Sequence, residues 1–316
     1  MRTIFMGTPE IAAVILNTLI EHKQDIIAVV TQPDKPKGRG KEMAFPPVKE
    51  LAIKNNIPVY QPNRVKDEEF IKIIEELNPD IIIVAAFGQI LSQRLLDIPK
   101  YGCINVHASL LPKYRGAAPY QWAIINGEEV TGVTIMQMDA GCDTGDMILK
   151  EEVTIDKEET AGSLHDKLAI AGGTALMKVI DQIKEGTMKR EKQDDSLFTY
   201  AKMLDKSMGN LDFNKSAIEL ERLIRGLNPW PSAYTHFEGK TLKIWRAAVC
   251  NDPEREDESK QYQNGQITSV GKNSFFIKTS SGLLEILELQ LEGKKRVTTA
   301  EFLRGYPIEV GYTFQK

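Results

Sequence analysis

Two side chains that could act together chemically stand at positions 105 and 107. Asn105 offers an amide and His107 an imidazole, at the end of the mostly apolar run Cys103-Ile104-Asn105-Val106-His107. On an extended chain, residues two apart point to the same side. The spacing sets a neutral hydrogen-bond donor beside a titratable ring at a strand end. A strand-end histidine also serves as a hydrogen-bonded structural residue, so the pair alone does not fix a reaction. A second segment, Met138-Asp139-Ala140-Gly141-Cys142-Asp143-Thr144-Gly145-Asp146, packs three aspartates into a glycine-bearing turn. Its spacing does not match a calcium-binding EF-hand loop. Turn chemistry accounts for Asp and Gly here. The sharper reading is that one of these carboxylates supports His107 from across the site.

Two further segments fall where a parallel sheet binds ligands, after its strands. Residues 32–41, Gln-Pro-Asp-Lys-Pro-Lys-Gly-Arg-Gly-Lys, hold four positive charges and two glycines, and Pro33 and Pro36 exclude a helix. A solvated loop explains them. A phosphate-bearing partner explains the clustering of charge around glycine better. Gly7-Thr8-Pro9-Glu10 lacks the G-x-G-x-x-G pattern of dinucleotide sites and reads as a tight strand-to-helix turn.

The elements that must position these residues alternate. Strand patterns at 2–7, 26–31, 59–60, 81–86 and 103–106 are separated by helical ones at 9–21, 46–55 and 67–77, with a further helix at 117–126. Residues 81–86 are wholly apolar, the mark of a strand covered on both faces. This alternation predicts an α/β class: a doubly wound, mostly parallel sheet covered by helices, with ligands at the carboxyl ends of its strands. Residues 130–138 and 147–153 add an antiparallel pair, and 161–185 a long helix. The pattern breaks into polar sequence after Gly186. After one helix at 216–227, short strands at 234–237, 242–249, 265–269, 274–279 and 283–290 predict a small, OB-like β-barrel. Residues 252–260 read as an acidic loop. The expected domains are 1–186 (catalytic), 187–205 (linker) and 206–316 (barrel).

Composition bounds the function. The chain has 316 residues, 42% hydrophobic and 27% charged, which suits two ordinary globular domains. No apolar run reaches the ~20 residues of a membrane-spanning helix. The N-terminal run is too short for a secretion signal, so a cytoplasmic location is expected. Cys103, Cys142 and Cys250 form no C-x-x-C pair, which argues against a disulfide framework and a zinc site. The net charge of −4 argues against wholesale coating of nucleic acid. Residues 1–205 carry 24 Lys and Arg against 30 Asp and Glu, whereas 206–316 carry 16 against 14. The second part is therefore mildly basic.

Together these segments resemble the formyltransferases that use 10-formyltetrahydrofolate. The motifs are Asn105-Val106-His107-x-Ser109-Leu110-Leu111-Pro112, Arg115-Gly116-Ala117-Ala118-Pro119, Gly132-Val133-Thr134-Ile135-Met136-Gln137-Met138-Asp139 and Gly141-x-Asp143-Thr144-Gly145-Asp146. The resemblance implies a catalytic trio of Asn105, His107 and Asp143. It implies a folate site lined by Ser109, Leu110, Leu111 and Pro112 with Phe87-Gly88, 10-formyltetrahydrofolate as formyl donor, and no metal. The 32–41 loop and Arg225-Gly226-Leu227-Asn228-Pro229-Trp230-Pro231 are similar to the tRNA-formylating branch of that family. That implies methionyl-initiator tRNA as acceptor, with Arg39 and Lys41 on its acceptor arm and residues 206–316 on its backbone. A monomer with no obligate protein partner and no membrane is expected. A sister enzyme acting on a ribonucleotide or sugar-nucleotide amine is the nearest competitor, and the C-terminal domain and the 32–41 loop weigh against the small ribonucleotide enzymes. Residues 206–213 depart from the family by carrying Asn210 and Phe213 where Arg and Trp are common.

Overall fold

The structure, a computed structural model, describes residues 1–37 and 42–314. The chain divides into two compact units. The first holds Met1–Pro119, Val130–Thr154 and His165–Ala201, and the second holds Tyr120–Glu129, Ile155–Leu164 and Lys202–Lys316.

The first unit begins with strand β1 (Thr3–Gly7), helix α1 (Glu10–Glu21) and strand β2 (Ile26–Val30). The short strands β3 (Lys35–Lys37) and β4 (Glu42–Ala44) pair antiparallel. Helix α2 (Pro47–Lys54), β5 (Val59–Tyr60), α3 (Glu68–Leu77), β6 (Ile81–Ala85) and the one-turn α4 (Gln93–Leu96) follow. Next along the chain come β7 (Cys103–His107), β8 (Arg115–Gly116), α5 (Pro119–Asn126, nearly all in the second unit), β9 (Val130–Gln137), β10 (Met147–Thr154), α6 (Ala161–Glu185, whose first turn also falls in the second unit) and β11 (Tyr200–Ala201).

The main sheet has the order β10-β9-β7-β6-β1-β2-β5. Strands β7, β6, β1, β2 and β5 run parallel, while β9 joins β7 and β10 joins β9 antiparallel. The chain leaves β1 toward β2 and returns to its other side as β6. This reversal opens a crevice beyond the carboxyl ends of β1 and β6.

Every residue of β1 and β6 is buried, as the apolar run at 81–86 predicts. One face of the sheet packs Ile4, Met6, Ala28, Ile82 and Val84 against Phe70 and Ile74 of α3. The apolar period of α3 buries Phe70, Ile71 and Ile74, and Asn78 ends the helix in a left-handed conformation. On α6, a Cβ at Gly172 would lie 2.9 Å from Val106 Cγ1 and 3.4 Å from Ile15 Cδ1, so glycine lets that helix approach β7 and α1 closely. Gly7 is equally confined: a Cβ there would lie 2.6 Å from that of Ala12 and 2.8 Å from the Ala85 carbonyl.

The second unit contains α7 (Ala217–Gly226), β12 (Ala233–Phe237), β13 (Lys240–Val249), α8 (Pro253–Glu258), β14 (Ile267–Val270), β15 (Phe275–Lys278), β16 (Leu283–Leu291), β17 (Val297–Thr298) and α9 (Thr299–Gly305). Ser216 caps α7 reciprocally with Glu219. Residues 252–260, expected as a loop, include α8: Asp252 accepts from the Glu254 and Arg255 amides, and Pro253 takes the first turn. The antiparallel sheet has the order β12-β13-β16-β15-β14, with β17 added to β16. Of the expected OB-like barrel the structure shows the antiparallel sheet without closure: among the described residues no ladder joins β12 to β14. Residues 311–314 lie along β14 instead. The amides of Ile267 and Phe314 donate to the Tyr312 and Gly265 carbonyls at 2.9 Å each. Tyr312 packs its ring 5.4 Å from that of Phe237 on β12. A segment without strand pattern thus occupies the seam that a barrel would close.

Candidate active site

β7 delivers Asn105 and His107 to the carboxyl edge of the sheet, beside β6. His107 is nearly buried, with a side-chain exposure of 7%. Its Nε2 lies 2.9 Å from the Tyr114 carbonyl oxygen. A carbonyl only accepts, so Nε2 carries a proton and donates it. That leaves Nδ1 as the nitrogen open to proton exchange, and Nδ1 faces Asp143 Oδ1 at 3.6 Å. Asn105 Nδ2 reaches the same oxygen at 3.5 Å. The three residues the sequence pointed to therefore converge on one carboxylate oxygen. Both contacts are long for hydrogen bonds, which leaves the Asn105 amide and Nδ1 available to other partners.

Asp143 is held from several sides. Its backbone is left-handed (φ 56°), a conformation in which Asp is tolerated better than most residues. Oδ2 accepts from the Gly116 amide at 2.9 Å. Gln193 Nε2 donates to the carbonyls of Asp143 and Gly145, at 2.8 Å each. Asp139 shapes the turn itself, accepting from the Gly141 amide at 3.0 Å and the Thr144 hydroxyl at 2.8 Å. Cys142 Sγ lies 3.8 Å from Asp143 Oδ2, and partial burial together with that carboxylate pushes its thiol pKa up. Burial pushes the Cys103 thiol up to about 12.

Residues 109–112 divide by role. The Ser109 and Leu111 side chains are fully buried. Ser109 Oγ donates to the Lys113 carbonyl at 2.7 Å. The buried Thr134 hydroxyl of β9 donates to the Ser109 carbonyl at 2.7 Å and accepts from the Leu111 amide at 3.0 Å. These contacts make Ser109 and Leu111 the pins of the loop. Leu110 and Pro112 are half-buried. On the other side of the crevice, Thr8 Oγ1 and Gln32 Nε2 donate to the Phe87 carbonyl at 3.4 Å and 3.2 Å. Gly88 is exposed, and Ile90 is 80% exposed.

Arg39 and Lys41 lie outside the described residues. Just before β3, Asp34 is held by two partners. Lys49 Nζ donates to Asp34 Oδ2 at 2.6 Å, and Gln61 Nε2 donates to Asp34 Oδ1 at 2.8 Å.

In the second unit, Arg225-Gly226-Leu227-Asn228 is a junction between three parts of the chain. Arg225 pairs with Glu221 and donates through Nη1 to the Glu159 carbonyl at 2.9 Å. The Asn228 carbonyl accepts from the Gly162 amide at 3.0 Å, and its Nδ2 donates to the Trp245 carbonyl at 3.1 Å. A Cβ at Gly226 would lie 2.5 Å from Ile125 Cγ1.

Sequence reasoning missed Gln193, Thr134 and the Tyr114 carbonyl as parts of the site. Each acts through a backbone group, and such contacts leave no spacing to read.

The family described as formyl transferase matches residues 1–180, and the one described as formyl transferase, C-terminal domain, matches residues 203–307. The chain is 53% identical over 311 residues to a methionyl-tRNA formyltransferase of Lachnospira eligens, covering 98% of each chain. It is 52% identical over 311 residues to the methionyl-tRNA formyltransferase of Clostridioides difficile, covering 98% of this chain and 99% of that one. Among solved structures, WlaRD, a sugar 3N-formyl transferase studied with dTDP and 5-N-formyl-THF, aligns with a TM-score of 0.68. Its identity is 22%, over 93% of this chain and 99% of that one, so the likeness concerns the fold. The chain belongs to the formyl transferase family, within its methionyl-tRNA formyltransferase branch.

Proposed function

We propose that this chain transfers the formyl group of 10-formyltetrahydrofolate to the free amino group of methionyl-initiator tRNA, giving N-formylmethionyl-tRNA for translation initiation, with Asn105, His107 and Asp143 as its catalytic groups. The observation that carries the assignment of roles is the convergence of Asn105 Nδ2 and His107 Nδ1 on Asp143 Oδ1, at 3.5 Å and 3.6 Å. The reaction class rests on the family and on relatives about half identical over nearly the whole chain.

The residues around the crevice fit a folate. Ala86 and Gly88 turn the backbone with φ 44° and 83°. A Cβ on Gly88 would meet only Gln32 Nε2, at 3.8 Å. Open backbone beside the exposed Ile90 suits a flat ring with apolar faces and polar edges. When bound, the folate supplies the formyl carbon.

Asn105 donates its amide to the formyl oxygen, where negative charge develops as the methionyl nitrogen adds. A donor already aimed there is worth about 3 kcal/mol. His107 Nδ1 and Asp143 Oδ1 hold the proton that the amine gives up and return it to the folate nitrogen as the bond between that nitrogen and the formyl carbon breaks, so that tetrahydrofolate leaves. His107 does so without turning, because Nε2–H is committed to the Tyr114 carbonyl. The low exposure of both groups strengthens these contacts by excluding water.

Arg39 and Lys41 are the candidates for the acceptor arm. The net positive balance of residues 206–316 suits phosphate contacts along the tRNA. The reaction belongs in the cytoplasm, acts away from membranes, and needs no second subunit. The test is transfer of labelled formyl from 10-formyltetrahydrofolate to methionyl-initiator tRNA, with glycinamide ribonucleotide and a sugar-nucleotide amine offered in parallel. Product on the tRNA alone is expected, and product on a nucleotide amine alone would overturn the reading.

A further inference from the structure

We propose that Gln193 is a positioning residue for formyl transfer, holding Asp143 in the left-handed backbone conformation that aims its carboxylate at Asn105 and His107. The proposal rests on the catalytic reading of those three residues.

Gln193 lies in the polar stretch after α6, where the sequence gives no sign of a site. Its carboxamide is half-buried and fully used. Nε2 donates one hydrogen to the Asp143 carbonyl and the other to the Gly145 carbonyl, at 2.8 Å each. Oε1 accepts from Arg115 Nε at 2.9 Å. The orientation follows from these partners. A flipped amide would set its oxygen against two carbonyl oxygens and its NH2 against a guanidinium.

Arg115 is itself fixed. It is nearly buried, its Nη2 donates to Asp195 Oδ1 at 2.7 Å, and its guanidinium carbon lies 5.2 Å from the centre of the Phe198 ring. Strand β11 pairs with β8 in the register Tyr200↔Arg115 and Ala201↔Gly116, which ties residues 193–201 to the site. The same β8 supplies the Gly116 amide that binds Asp143 Oδ2. Arg115 therefore connects two grips on one residue: the Gly116 amide on the carboxylate, and Gln193 on the backbone.

This grip has a job at this position. A left-handed φ on a residue with a Cβ survives where its surroundings determine it. Gly145 lies close against β9, where a Cβ would collide with the Gln137 carbonyl. Released from Gln193, the 143–145 turn is free to rotate Asp143 Oδ1 away from His107 Nδ1, while the folate side of the crevice is untouched.

The test compares the full-length wild type with Gln193→Met, which keeps the length and removes all three hydrogen bonds, and Gln193→Glu, which sets a carboxylate against two carbonyls. Both should lower kcat by about 10- to 100-fold, the cost of a misplacement near 1 Å. KM for 10-formyltetrahydrofolate and for methionyl-initiator tRNA should stay within about twofold, because binding is not what Gln193 supports. In an Asp143→Ala background, Gln193→Met should cost nothing further, since a residue acting through Asp143 has nothing left to position. A merely structural role would instead lower the unfolding midpoint and cost the same in both backgrounds. Unchanged kcat in both Gln193 variants, or an equal loss in the Asp143→Ala background, overturns the proposal while leaving the function standing. A wild type that does not formylate the tRNA overturns the function and this proposal with it.

Discussion

Thr134→Val isolates one hydroxyl that holds the loop behind His107. Thr134 is fully buried on β9, directly opposite His107 in the β7–β9 register. Its hydroxyl donates to the Ser109 carbonyl and accepts from the Leu111 amide. Valine fills almost the same volume, so no cavity term enters. What changes is that a buried N–H and a buried C=O lose their partner together. Each such loss costs about 1–3 kcal/mol, which puts the total at about 2–5 kcal/mol after allowing for relaxation. The assay is urea unfolding followed by far-ultraviolet circular dichroism, because Trp122, Trp230 and Trp245 all lie in the second unit and tryptophan fluorescence reports on that unit. Thr134→Ser keeps the hydroxyl and gives up only a methyl group, so it should lose about 1 kcal/mol. A Thr134→Val loss under about 0.5 kcal/mol, or one equal to that of Thr134→Ser, refutes the pinning of residues 109–111.

Two further predictions concern titrating groups. Hydrogen bonds from Lys49 and then Gln61 hold the Asp34 carboxyl below its ordinary value of 3.8. A depressed folded-state pKa stabilises at pH above the unfolded value and is lost as pH falls through the folded one. The stability difference between wild type and Asp34→Asn should therefore be constant from pH 5 to 7 and shrink below about pH 4; a difference that grows on acidification contradicts the pairing. The Cys142 thiol is pushed up by partial burial and by Asp143, so iodoacetamide should react slowly at pH 8, and Asp143→Asn should speed that reaction by removing the adjacent charge. Cys103, pushed up to about 12, should stay unmodified in both proteins. Equal Cys142 rates in wild type and Asp143→Asn would show that the two side chains are not neighbours.

The parts of the molecule that were readable in the sequence are those where burial sets a period. Residues 81–85 are apolar on both faces because helices cover both faces, and the alternation of 233–237 marks a sheet with one face on the core. Asn105 and His107 were readable because strand geometry points both to one side. What escaped depends on contacts between distant backbone atoms. The motif at 109–112 does not show that Thr134 would hold the Ser109 carbonyl and the Leu111 amide. Whether β12 meets β14 is decided by Tyr312 and Phe314 filling the seam between them, and two aromatic residues near the end of a chain carry no strand signal. Gln193 resembles any polar residue in a charged stretch until the fold returns it to the Asp143 turn.

The proposed site of formyl transfer to methionyl-initiator tRNA joins Asn105, His107 and Asp143. Single-turnover formylation with 10-formyltetrahydrofolate, at saturating concentrations of both substrates, tests it most directly. Asn105→Ala and His107→Ala should each slow the step by about 100-fold or more while the protein stays folded, and Asp143→Asn should lower the rate with little change in the affinity of either substrate. Near-wild-type rates for Asn105→Ala and His107→Ala, or an Asp143→Asn defect confined to affinity, would contradict the account.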